Sequence, residues 1–76
     1  MPQHLTIATA GDAVHHTTVE ALARQLLSDA EHLAAAAQRA ADKQTPLSIE
    51  DALDGAELVA ETAAALKAAT AAAWPA

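Results

Sequence analysis

The chain is expected to be all-α: an antiparallel helical hairpin of two long helices and a short turn. Three observations predict this. Alanine is the dominant residue and has the highest helix propensity. The chain contains only two glycines and three prolines, so few breakers interrupt it. One stretch, Lys43 to Asp51, reads as one helix stopping and another starting. At 76 residues the chain is at most one small domain. Such a chain buries only about 60 % of the surface its unfolded form exposes.

Residues 1–11 differ from the rest. Thr6, Ile7 and Thr9 favour extended backbone, and no second strand is visible to pair with them. A flexible or loosely packed N-terminal arm is the preferred reading. Helix 1 is expected over about 13–43. Thr17 and Glu20 have the spacing of a capping box, with Asp12 as the rival cap. Its apolar stripe is Val19, Leu22, Leu26, Ala30, Leu33, Ala37 and Ala40, at three- and four-residue spacings. Ala23, Leu27, Ala34 and Ala41 widen that stripe on one side. Glu20 lies four residues before Arg24, the favourable order for an ion pair on one helix face.

The turn is expected over 44–48. Arg39 and Lys43 suit the negative end of helix 1. Pro46 cannot continue that helix and pushes Thr45 into extended backbone. Ser48 reads as the N-cap of helix 2, with Leu47 and Ala52 at its staple positions. Helix 2 follows over about 49–73, closed by Pro75. Ile49, Ala52, Ala56, Val59, Ala63, Leu66, Thr70 and Ala73 form a near-heptad stripe. Gly55 is its weak point, with Asp54 able to cap a new helix there; the unbroken stripe favours one continuous helix. Residues 12–76 thus form the hairpin, with Leu on one helix meeting Ala on the other.

Two helices cannot cover each other's apolar faces. From Thr62 to Trp74 helix 2 carries one charge, Lys67, and is otherwise Ala, Thr, Leu and Trp. A helix that is apolar nearly all round is usually buried. Small cores rarely suffice alone, and oligomerisation is a common supplement. A homodimer forming a four-helix bundle is therefore expected. Val19, Leu22, Leu26, Leu27, Leu33, Val59 and Leu66 are the candidate self-association residues.

The net charge is −6, from ten acids against four Lys and Arg. That argues against a phosphate-binding surface and hence against nucleic acid as partner. Apolar runs such as Leu33 to Ala37 fall far short of the ~18 residues that cross a bilayer, so no membrane partner is expected. The N-terminus has no basic start and no long apolar segment, and cytoplasmic location is the default expectation. Glu50, Asp54, Glu57 and Glu61 form an acidic ridge on helix 2. It reads either as a solvated face or as a docking face for a basic or helical protein. Trp74 is the other candidate for partner binding, because Trp is enriched among binding hot spots.

Chemistry has less support. There is no cysteine. Ser28 and Ser48 are the only serines, the latter accounted for by capping, and the glycines are isolated. No catalytic residue and no cofactor are expected. His15, His16, Asp29 and His32 are weak candidates for a metal, since Asp29 and His32 have the three-residue spacing seen in di-iron bundles.

In Ala-rich helices, size and acidity the chain resembles small helical hairpins with a Trp-x-Gly turn, exported by specialised actinobacterial systems. The motif differs. The turn here reads Gln44-Thr45-Pro46-Leu47, and the only Trp precedes Pro75-Ala76, so no family is assigned on this ground. The favoured function is a small, acidic, non-enzymatic protein acting by self-association and protein–protein contact. The alternatives are a metal-binding or accessory subunit of an enzyme complex, and an antitoxin-like or anionic mimic that binds a basic partner.

Overall fold

A computed structural model describes the backbone of residues 2–75 and the side chains of residues 16–75. It contains two helices, α1 (Pro2–Lys43) and α2 (Pro46–Ala73), packed antiparallel as a hairpin. No helix among the described residues is long and apolar enough to cross a membrane.

The helix boundaries differ from the sequence expectation at both starts. The backbone of residues 2–11, expected as an arm, is helical and continuous with α1. Pro2 occupies the first helical position, where its missing N–H costs nothing. Gly11 is tolerated inside the helix at about 1 kcal/mol. Neither Asp12 nor Thr17 is therefore a helix start. Glu20, freed from any capping role, accepts from Arg24 at 3.0 Å as an exposed ion pair. α1 has 42 residues and α2 has 28, so α1 overshoots its partner by about 21 Å.

The link between the helices is two residues long. Gln44 takes a left-handed conformation, φ 51°, and its N–H donates to Ala40 O at 2.8 Å. This is the αL helix stop, here without the glycine that usually serves it. Thr45 is extended, as a residue before proline should be, and it caps α2. Ser48, expected as the cap, sits three residues inside the helix instead. Thr45 Oγ1 accepts from Ser48 N–H at 3.2 Å, and Ser48 Oγ accepts from Thr45 N–H at 3.1 Å. Proline's φ is preorganised for the first helical position, so α2 starts at Pro46 rather than at Ile49. Gly55 does not interrupt α2.

The seam between the helices is a strict heptad. Among the described side chains of α1 the least exposed are Val19, Leu22, Leu26, Asp29, Leu33, Ala36 and Ala40. On α2 they are Ser48, Ala52, Gly55, Val59, Thr62, Leu66, Ala69 and Ala73. The large anchors match the expected stripes. The small positions do not: Asp29 and Ala36 replace Ala30 and Ala37, while Gly55, Thr62 and Ala69 replace Ala56, Ala63 and Thr70. Ile49 also leaves the stripe. A 3.5-residue repeat keeps one seam in register along two supercoiling helices. Alanine directly after Asp29, Ala36, Gly55 and Thr62 hides which members face the partner. At Gly55 the helices approach closely, since an added Cβ would lie 3.4 Å from Leu33 Cα.

Candidate functional site

The heptad seam sorts the outer surface into two unlike flanks. In an antiparallel pair, the positions one residue after each seam residue lie on the same side of both helices. On α1 these are Glu20, Ala23, Leu27, Ala30, Ala34, Ala37 and Ala41. On α2 they are Ile49, Leu53, Ala56, Ala60, Ala63, Lys67, Thr70 and Trp74. All fifteen are exposed, and Glu20 and Lys67 are their only charges. Leu27 and Leu53 are each 61 % exposed and Trp74 57 %. The opposite flank holds Gln25, His32, Arg39, Asp51, Asp54 and Glu61, with Leu47 and Leu58 among them.

The sequence-derived candidates divide accordingly. Val19, Leu22, Leu26, Leu33, Val59 and Leu66 are half-buried in the seam within one chain. Of the self-association candidates only Leu27 faces outward. Glu50, Asp54, Glu57 and Glu61 are all exposed, away from the seam. Glu50 and Glu57 border the apolar flank, one helical row beyond Leu53 and Ala60. Leu53, Ile49 and Ala60 were not singled out as flank residues from sequence. The signal was present: each follows a member of the 3.5-residue seam by one position.

At the open end the His16 and Trp74 rings stack, with centroids 4.5 Å apart and 18° between planes. Trp74 N–H donates to Thr70 O at 2.9 Å and closes α2. The indole is therefore held against α1 with its other face outward.

Midway along the seam lies a polar constellation that spans both helices. Asp29 is 2 % exposed and Thr62 is 8 % exposed. Thr62 Oγ1 donates to Asp29 Oδ2 at 2.6 Å, and Gln25 Nε2 donates to Oδ1 at 2.8 Å. The Thr62 hydroxyl, then the Gln25 amide, hold the carboxyl below its ordinary pKa; burial opposes them, and the charge of nearby His32 adds to them. No buried side-chain polar atom among the described residues lacks a partner.

For a metal, the geometry brings little together. The His15 side chain lies outside the described residues. His16 packs on Trp74, both Asp29 oxygens already accept hydrogen bonds, and His32 is exposed on the polar flank. Among the described residues no three His, Asp or Glu side chains converge, and no cavity is enclosed. Comparison with protein-family models, with curated proteins and with solved structures finds no match to this chain.

Proposed function

We propose that the protein acts by protein–protein contact, as a small non-enzymatic hairpin that associates through the flank running from Leu27 and Trp74 to Ile49 and Leu53. One observation carries this reading. Apart from Lys67 and Glu20, the latter paired with Arg24, the flank is uncharged and mostly apolar, while the other charged residues lie on the opposite flank and the outer faces. A contiguous apolar surface beyond a few hundred Å² marks an interaction site rather than ordinary exposed alanine. α2, at about 42 Å, and the 18 Å width of the hairpin define a face of roughly 750 Å². Two such faces together bury about 1,500 Å², the size of a specific interface. Association by this face yields a four-helix bundle with most of the acidic residues at its edges or outside it.

The test is association itself. Sedimentation equilibrium at tens of micromolar should return a mass above the monomer. Leu53→Glu with Leu27→Glu should return the monomer mass while far-UV circular dichroism keeps its helical signal. A monomer mass for the unmodified chain would overturn the reading.

A further inference from the structure

Resting on that reading, we infer that the occupant of the apolar flank is a second copy of this chain laid tip to open end, with Lys67 seated between Glu50 and Glu57 of the second copy. Of the flank's two charges, Glu20 is already paired with Arg24, which leaves Lys67 as the one without an ion pair among the described residues. Lys67 lies amid Ala60, Ala63, Thr70 and Trp74, and its own helix offers no carboxylate near it on that face. Two face-to-face arrangements can close as a dimer: one with both turns at the same end, and one with the turns at opposite ends.

With the turns at opposite ends, α2 lies along α2 of the second copy in reverse. Pairing about Ala60 sets Lys67 level with Leu53 of the second copy. The aliphatic stem of Lys67 then covers that exposed leucine. Its ammonium group comes level with the gap between Glu50 and Glu57, the row that borders the flank. The symmetry repeats the contact, so both lysines are neutralised. Trp74 falls at the second copy's tip, near Ile49, which is 46 % exposed. Bulky residues then meet at both ends, and alanines let the helices approach between them.

With the turns at the same end, α2 lies across α1 of the second copy. Lys67 becomes level with Ala23, beside Arg24 and Glu20. Those two already pair with each other at 3.0 Å, so the lysine gains an arginine neighbour and no free carboxylate. Charge complementarity therefore selects the reversed arrangement.

The chain has no cysteine, so single substitutions report geometry cleanly. Ala60→Cys should form a covalent dimer readily on mild oxidation, because residue 60 faces its own copy at the symmetry axis. A mixture of Lys67→Cys and Leu53→Cys chains should form the mixed disulfide, whereas Ala23→Cys with Lys67→Cys should not. Lys67→Glu should weaken the dimer roughly tenfold, and adding Glu50→Lys and Glu57→Lys should restore most of that loss. Efficient Ala23–Lys67 cross-linking, or a charge reversal that fails to restore affinity, overturns the orientation while leaving association intact. A chain that sediments as monomer removes both this inference and the reading beneath it.

Discussion

The hydroxyl of Thr62 donates a 2.6 Å hydrogen bond to the carboxylate of Asp29 across the seam between α1 and α2. The two residues are 33 positions apart, and each is buried where its neighbours along the seam are Leu, Val, Ala or Gly. A buried hydrogen-bonded pair stabilises less than its gross energy, but removing one member leaves the other unsatisfied. Thr62→Val should therefore lower the urea midpoint at pH 7 more than the double change Asp29→Leu with Thr62→Val. The double change should be near neutral or stabilising. Equal losses in both variants would show that the pair is not coupled.

The same pair sets a pH dependence. The Asp29 pKa is lowered in the folded chain, first by Thr62 and then by Gln25. Its contribution to stability is full above the unfolded carboxyl value, about 3.9. It is lost as pH falls through the lower folded value. The stability of the native chain should decline in acid below about pH 4, and Asp29→Asn should show a shallower decline over that window. Thermal melts at pH values from neutral down through that window measure the difference. An identical acid profile for the variant would refute the assignment.

Adjacent residues at the tip should respond in opposite directions. Thr45→Ala removes the acceptor for Ser48 N–H and should cost about 1 kcal/mol. Gln44→Gly relieves a left-handed backbone at φ 51° and should gain up to about 1 kcal/mol. Urea denaturation of the two variants checks both signs. A loss at Gln44→Gly would mean that the side-chain contact to Ala41 O at 3.4 Å outweighs the strain.

Gly55 should tolerate one methyl and no more. An added Cβ meets Leu33 Cα and Cδ1 at 3.4 Å, which is contact without overlap. Gly55→Ala should gain up to about 1 kcal/mol from helix propensity. Gly55→Leu carries its bulk into the α1 backbone and should cost about 1–3 kcal/mol. Equal melting temperatures for the two variants would show that the helices do not approach at this point.

The stacked pair at the open end gives a spectroscopic readout. Trp74 is the only tryptophan, so its emission reports this contact alone. His16→Ala should shift the emission to the red and lower stability by about 1 kcal/mol or less. An unchanged spectrum would mean that the rings do not pack in solution.

By itself the sequence determined the all-α class, two long helices, a break near Pro46, the Glu20–Arg24 pair and the large seam anchors from Val19 to Leu66. These follow from local forces: alanine's propensity, proline's fixed φ, four-residue spacing and the burial of branched side chains. What it did not determine is which small residues complete the seam. The leucines admit one stripe, but alanine follows most of the remaining positions, so that Ala30 looks more apt for the seam than Asp29, and Ala37 as apt as Ala36. The start of α2 was legible in Pro46 at the first helical position, yet Ser48 offered an equally good local cap. Only the packing of α1 on α2 chose among the seam residues. It brought Gly55 to Leu33 and Thr62 to Asp29, contacts made between residues far apart in the chain. That choice rotates both helices by a fraction of a turn and gathers Leu27, Leu53 and Trp74 onto one flank. Tertiary structure decided where the apolar surface points, because helical periodicity alone is degenerate when a small apolar residue directly follows the true member of the repeat.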